Sequence, residues 1–524
     1  MKKIALLLAT AGLAVTFFSS CIEDSEVTGV LTDDKKDEIA SDDPDKVFTA
    51  DLAGMYTNLQ QYVYQDMSHN YFGQKSFDYL TSLMGNDMVM TGRYAMSLYH
   101  YMLQYRGASY VPTYNRWYEY YTTIAAANDI MKAIDPEDTR PEVLKYKATA
   151  LTFRGYAYLQ LTMLYSYSYY VGADDTKWGK GTKYDHSQDL CVPINTETIT
   201  GNQPRSTVAQ VYEQLIGDLE TAYNLFEECG MVKTASPTDM DGCVAANYLM
   251  RAFMVKHDWK NAAKYAKVIM DNFGVLDTEA DITQGFSDIN LKDVVFGCDI
   301  NTNNSTVYMS WFSQMDAYGD GYAGIGVTRA GFGPFVDKIS DTDIRLQWFC
   351  CDRSTGGLLR DTEDPAAADY QSVKFIGTGR PNIQAGIREG WELGDYIYLR
   401  SEEAYLTYAE ALAHQGDPSA KTVLEEFMRT RDPQYVCRVS EKADLIEEIN
   451  FQKRVEFWGE GMEYIDNRRL NIPVDRTDAT WGSANNHYTA AKFYKDQEDI
   501  AFLYQLPNSE IENNPEIGPG NQNP

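Results

Sequence analysis

Apolar residues return at three- and four-residue intervals through "VFTADLAGMYTNLQQYVYQ" (47–65), "YNRWYEYYTTIAAANDIMKAID" (114–135), "PEVLKYKATALTFRGYAYLQLTMLYSYSYY" (141–170) and "TVAQVYEQLIGDLETAYNLFEE" (207–228). That period places one apolar face on a helix, so the first half of the chain is predicted to be helical. In the second of these segments Trp117, Tyr121, Ile124 and Asn128 share a face, and Pro136 ends the run.

Two later segments match each other at a constant offset of 157: "YLMRAFMVKHDWKNAAKYAKVIMDN" (248–272) and "YLTYAEALAHQGDPSAKTVLEEFMR" (405–429). Tyr248/Tyr405, Leu249/Leu406, Ala252/Ala409, His257/His414, Ala263/Ala420 and Lys264/Lys421 coincide without a gap. Each reads as helix, tight turn, helix, with alanines where the two helices approach, which is the build of a tetratricopeptide-type hairpin. Residues 275–400 have another character, rich in Gly, Asp, Asn, Thr and Tyr. Helical periodicity is lost there, and alternation such as "TVYMSWF" predicts short strands and long loops. The pattern is a mainly α, tetratricopeptide-like scaffold of helical hairpins with an inserted loop-rich irregular lobe. The tail from Trp481 is again loop-rich.

The N-terminus carries a different signal. After Met1-Lys2-Lys3, the mostly apolar run Ile4–Phe18 has fifteen residues. As a helix it reaches about 22 Å, short of the ~30 Å hydrocarbon core, so it reads as a signal peptide and not as a permanent span. "FSSC" ending at Cys21 resembles a bacterial lipobox, in which that cysteine becomes the lipid-bearing first residue. The acids that follow, from "IEDSE" to Asp42-Asp43, cannot bury enough apolar surface to order themselves and read as a solvated tether. An acidic patch directly after the cysteine also resembles the surface-export signal of Bacteroidota lipoproteins. The expected organisation is signal peptide 1–20, acidic flexible tether 21–46, and one domain over 47–524, with the insertion at 275–400 and a helical C-terminal region at 401–480.

Charge narrows the partners. The net charge of −30 becomes −32 once Lys2 and Lys3 leave with the signal peptide. Such a surface disfavours nucleic acid, whose phosphates reward basic residues, and suits a body held off an anionic membrane. Seven cysteines remain beyond Cys21, an odd number without zinc-site spacing, and are expected as buried free thiols. The 39 tyrosines and 8 tryptophans supply rings with an apolar face and a polar edge, suited to sugar stacking as well as to helix packing.

No H-E-x-x-H, P-loop or G-x-S-x-G sequence is present. "DAYGDGYAG" and "DDTKWG" lack the ligand alternation of a calcium loop, so neither metal nor cofactor is expected. "FQKRVEFWGEGMEYIDNRRLNIP" (451–473) concentrates Arg454, Glu456, Glu460, Glu463, Asp466, Arg468 and Arg469. Glu456 and Glu460, four apart, imitate a glycosidase pair. Placed on one helix face beside arginines, they are expected to form a salt-bridge network instead.

That segment resembles the C-terminal signature of SusD/RagB-type lipoproteins. "YIYLRSEEAYLTYAEALAHQGD" (396–417) resembles the family's Tyr-Ala-Glu-Ala-Leu helix, "LPNSEIENNP" (506–515) its closing motif, and "ALTFRGYAYLQLTMLY" (150–165) its early Arg-x-x-x-Tyr-x-x-Leu helix. Two departures stand out: Met462 follows Gly461 where His or Arg is frequent, and the chain ends "GNQNP". The resemblance implies a non-catalytic lipoprotein, anchored through Cys21 and palmitate to the outer membrane and facing the cell exterior. There it would capture oligosaccharides for a SusC-like TonB-dependent β-barrel transporter. Peptide or another nutrient is the alternative cargo, and a surface glycoside hydrolase is a third reading. Aromatic faces stack on sugars while amides, carboxylates and guanidinium groups read hydroxyls. Aromatic and polar residues of glycine-rich stretches are therefore the expected ligand contacts: Tyr71, Phe72, Trp311, Tyr318 and Tyr322, with Asn86, Asp87 and Arg93.

Overall fold

In the computed structural model of the protein the described residues are 44–61, 69–90, 95–104, 106–327, 329–350, 370–377, 390–477 and 485–524. Cys21, most of the tether and Arg93 lie outside them. Helix α1, Pro44–Gln60, begins three residues inside the stretch assigned to the tether, since proline's fixed φ suits a first helical turn. Helix α2 follows at Gln74–Leu83.

The scaffold is a series of helices, most of them packed on the next. It runs through α3 (Val111–Ala133), α4 (Pro141–Tyr165), α5 (Val208–Glu228), α6 (Gly242–Val255) and α7 (Trp259–Asn272). After the inserted lobe it resumes with α9 (Glu402–Gln415), α10 (Ser419–Met428), α11 (Lys442–Glu456) and α12 (Met462–Leu470), with α11 lying against α9 and α9 directly against α7. Helix α4 is buried almost all round from Ala148 onward, as a central helix must be. Its one guanidinium there, on Arg154, forks onto Asp218 of α5 at 2.7 and 2.8 Å. It stops at Tyr165, five residues short of the expected run, because the extended Ser166 turns its hydroxyl back onto the Thr162 carbonyl. Helix α5 starts on a capping box, with Thr207 accepting from the Gln210 N–H and Gln210 accepting from the Thr207 N–H.

The two matched hairpins are α6/α7 and α9/α10. Their shared alanines Ala252, Ala409, Ala263 and Ala420 are all buried, where small side chains let the helices close up. The histidines do not occupy equivalent turns. His257 lies beyond α6 with a φ of 55°, whereas His414 is still in the last turn of α9. They meet instead on opposite faces of Trp259, at 4.6 and 3.8 Å between ring centroids.

The lobe is tied at its base by antiparallel pairing of Val294–Cys298 with Tyr396–Arg400. Its second sheet runs in the order Met88–Met90, Arg329–Gly331, Gln371–Ser372, Phe349–Cys350, so a segment after α2 joins three lobe strands. The "TVYMSWF" stretch is not a strand. Val307 adopts a φ of 50°, and Ser310 caps helix α8 (Trp311–Met315) by accepting from the Ser313 N–H at 3.2 Å. A local serine cap overrode the alternation. One apolar core fills the early helices, a second fills the lobe, and a third fills α9–α11. Cys191, Cys243 and Cys437 are buried free thiols, while Cys229 and Cys298 are half-buried and free. Among the described residues no helix is long and apolar enough to cross a membrane.

Candidate functional site

The expected contacts divide into two places. Tyr71, Phe72, Trp311, Tyr318 and Tyr322 come together where the lead into α2 packs on α8, whereas Asn86 and Asp87 lie beside the C-terminal signature.

In the first group, three rings are inside. Phe72 has no exposed surface, Trp311 retains 1% and Tyr71 3%, and all three belong to the lobe core. Trp311 packs edge-on to Phe375 at 5.0 Å and carries the Lys75 ammonium 4.3 Å from its ring, while Arg116 covers Tyr71. A stacking platform must show a ring face to water, and these show none. Tyr318 and Tyr322 are half-buried at the surface. The Tyr322 hydroxyl lies 2.9 Å from His69 Nδ1, with the two rings edge to face. Asp316 holds the loop that carries both tyrosines. Its Oδ1 accepts from the N–H groups of Tyr318 and Gly319 at 2.8 and 3.1 Å, and its Oδ2 accepts from Gly377 at 2.9 Å.

The glycines of this loop serve packing. A Cβ on Gly324 would stand 1.7 Å from the Gly319 carbonyl oxygen, and one on Gly319 would meet the Trp391 ring at 2.9 Å. Trp391 in turn lies 5.9 Å from Tyr308, whose ring is half in solvent. The exposed or half-buried rings of this face are Tyr308, Tyr318, Tyr322 and His69, with Trp391 buried beside Tyr308 and Asp320 exposed in the same loop as Tyr318 and Tyr322. Tyr308 and Trp391 were missed in the sequence, Tyr308 because its surroundings read as a strand.

Asn86 and Asp87 have spent their polar atoms on the protein. The Asn86 side chain donates to the Pro473 carbonyl (3.0 Å) and accepts from the Asp475 N–H (2.8 Å). Asp87 accepts Nε and Nη2 of Arg454, and its carbonyl accepts the Trp458 indole N–H. Both backbone N–H groups donate to Glu463, whose carboxyl is pushed up to about 7, by burial first and then by the neighbouring Asp87 charge. A cavity of about 200 Å³ adjoins them, walled by Trp178, Phe335, Phe451 and Arg454.

The signature carboxylates do not share a helix face, since α11 ends at Glu456 and Glu460 sits in the turn before Gly461. Left-handed Gly459 (φ 85°) and Gly461 (φ 81°) break the helix there. They nevertheless form the expected salt-bridge network. Glu456 accepts from Arg345, Arg400 and Arg431, and Glu460 accepts from Arg400 and Lys374. Burial alone would raise the Glu460 carboxyl, but Arg400 and Lys374 outweigh it and bring it down to about 2. A second knot joins Glu410, Arg469, Lys453 and Asp466. Among the described residues no group of three or more His, Cys, Asp and Glu is placed to hold a metal ion.

Comparison with known proteins bears on this geometry. Residues 33–237 match a SusD-like family described as starch-binding and associating with the outer membrane, and residues 363–524 match the SusD family. A SusD-like carbohydrate binding protein from Bacteroides vulgatus superposes with a TM-score of 0.70 at 23% identity, covering 90% of this chain and 96% of the other. Surface glycan-binding protein A from Bacteroides uniformis superposes with a TM-score of 0.64 at 16% identity, covering 91% and 99%. No curated protein matches significantly. With its early helices and its C-terminal signature both matched, and the whole fold shared, the chain belongs to the SusD/RagB family.

Proposed function

We propose that the protein is a lipid-anchored protein of the outer cell surface that captures an oligosaccharide without cleaving it and passes it to a SusC-like TonB-dependent transporter. Family membership carries the reading: the matched families are described as SusD and as starch-binding in association with the outer membrane. Neighbours of the same fold include surface glycan-binding proteins. The rings of Tyr308, Tyr318 and Tyr322 support this face as the place of capture, since Asp316 and the close contacts at Gly319 and Gly324 hold the loop of Tyr318 and Tyr322 in shape, which lowers the ordering cost of binding. The interior position of Glu456 and Glu460 supports binding over hydrolysis. A glycosidase needs two carboxyl groups open to the scissile bond, and these two are spent on buried arginines and a lysine. In this reading Cys21 is the lipid anchor, and the acidic tether holds the body away from the bilayer.

Two experiments test the reading. Tyr308→Ala and Tyr318→Ala are expected to weaken oligosaccharide binding by roughly fivefold each, the scale of one aromatic contact. Affinity unchanged in both variants would remove the face from consideration. Mild detergent extraction is expected to bring down a β-barrel transporter with the protein, and its absence under conditions that preserve other outer-membrane complexes would sink the delivery step.

A further inference from the structure

A second surface carries sugar-binding chemistry away from that face. The turn before α3, the first turn of α3 and the start of the short helix α13 (Asn508–Asn513) enclose a groove of about 420 Å³. Its lining includes Ser109, Tyr110, Tyr114, Asn115, Asn508 and Ser509. Every lining side chain is uncharged, in a chain whose net charge is −30.

The aromatic element is a ridge. Tyr110, Tyr114 and Tyr118 follow one another at intervals of four residues, which on a helix brings side chains onto one face. Tyr114 and Tyr118 stand 4.3 Å apart between centroids, and the Tyr110 ring is 43% exposed. One edge of that ring lies on the backbone of Gly107, where a Cβ would come within 3.3 Å of it. The walls are fixed to each other. Gln505 N–H donates to the Arg106 carbonyl at 2.9 Å, Ala108 N–H donates to the Gln505 side chain at 3.0 Å, and Asn508 N–H donates to the Ala108 carbonyl at 3.0 Å. Arg106 also donates to the Leu503 and Pro524 carbonyls. Along the groove the exposed Ser109 and Asn508 supply hydroxyl and amide groups beside the rings.

We infer that this groove is a second saccharide-binding site, selective for neutral sugar units. Rings meet the apolar faces of a pyranose, and amide and hydroxyl groups exchange hydrogen bonds with its hydroxyls. With no cation in the lining, a uronate or sulfated sugar would lose its hydration without gaining a charged partner. The inference rests on the capture reading above and adds a location and a charge preference.

Hydrogen exchange on the mature protein in detergent gives the test. The probes are neutral gluco-, manno-, xylo- and galacto-oligosaccharides, uronate oligomers and uncharged peptides. A neutral saccharide is expected to slow exchange in both 106–114 and 505–509. Tyr110→Ala and Asn508→Ala should each weaken that protection about fivefold, and Tyr322→Phe, on the other face, should leave it unchanged. Protection confined to 308–322 would overturn the second site while leaving capture intact. Protection of the groove by peptides or uronates in preference to neutral sugars would overturn its specificity. If no saccharide protects either face, both the groove and the capture reading fall.

Discussion

At Glu456 one carboxylate meets three guanidinium groups, from Arg345, Arg400 and Arg431, and its backbone carbonyl accepts the Lys374 ammonium. Removing it leaves buried cations uncompensated, so Glu456→Ala is expected to cost about 3–5 kcal/mol. Urea unfolding checks this, and a loss below 1 kcal/mol would contradict it. Glu460 and Glu463 titrate in opposite senses. Glu460 is held near 2 in the fold against an ordinary 4.5, so its stabilisation is complete above pH 4.5 and fades as pH falls toward 2. Glu463 keeps its proton up to about 7 when folded but loses it near 4.5 when unfolded, so the folded state binds more protons and stability declines as pH rises between those values. Glu463→Gln should flatten the slope of urea midpoints between pH 5 and 7 and leave the acid limb in place. An unaltered slope would contradict the assignment. The salt-bridge role of the signature was legible in the sequence because eight charged residues of both signs in one short stretch need partners if buried. The burial of Tyr71, Phe72 and Trp311 was not legible. A polar, glycine-rich neighbourhood looks the same whether its rings face water or pack on a core assembled from residues far along the chain, such as Phe375.

At the scale of elements, the long helices were legible because each carries several turns of period, and their ends followed local chemistry such as the Thr207 capping box. Short elements were not. The strand expected at "TVYMSWF" is a turn and a capped helix, and the four-stranded sheet draws on segments as distant as Met88–Met90 and Gln371–Ser372. Pairing at that separation leaves no periodic mark in sequence. The loop of Tyr318 and Tyr322 depends on backbone-to-backbone contact at Gly324. Gly324→Ala is expected to destabilise the protein by about 1–3 kcal/mol through overpacking and to weaken saccharide binding at the same time. Stability lost with full binding would separate the loop from the site, and binding lost with full stability would contradict the overpacking.

Over the whole molecule, the matched hairpins α6/α7 and α9/α10 stack through α7 and α9, with Trp259 between His257 and His414. The inserted lobe leaves and rejoins this scaffold through one strand pair, 294–298 with 396–400. The loops of the face then hang on two fixed supports, the strand pair and α2. The proposed function places attachment to the membrane on the leader. Cys21→Ala should abolish incorporation of labelled palmitate and release the protein from the membrane fraction, and retention of both would refute the anchor.

The central claim is capture without cleavage, and one titration tests it most directly. The mature protein in detergent is titrated calorimetrically with a panel of oligosaccharides, and each ligand is recovered and sized by chromatography. Saturable heat with one glycan class, recovered at its original length and with no new reducing ends, is the expected result. Shortened ligand would make the protein a hydrolase, and no heat across the panel, with heat from peptides, would make its cargo something other than sugar.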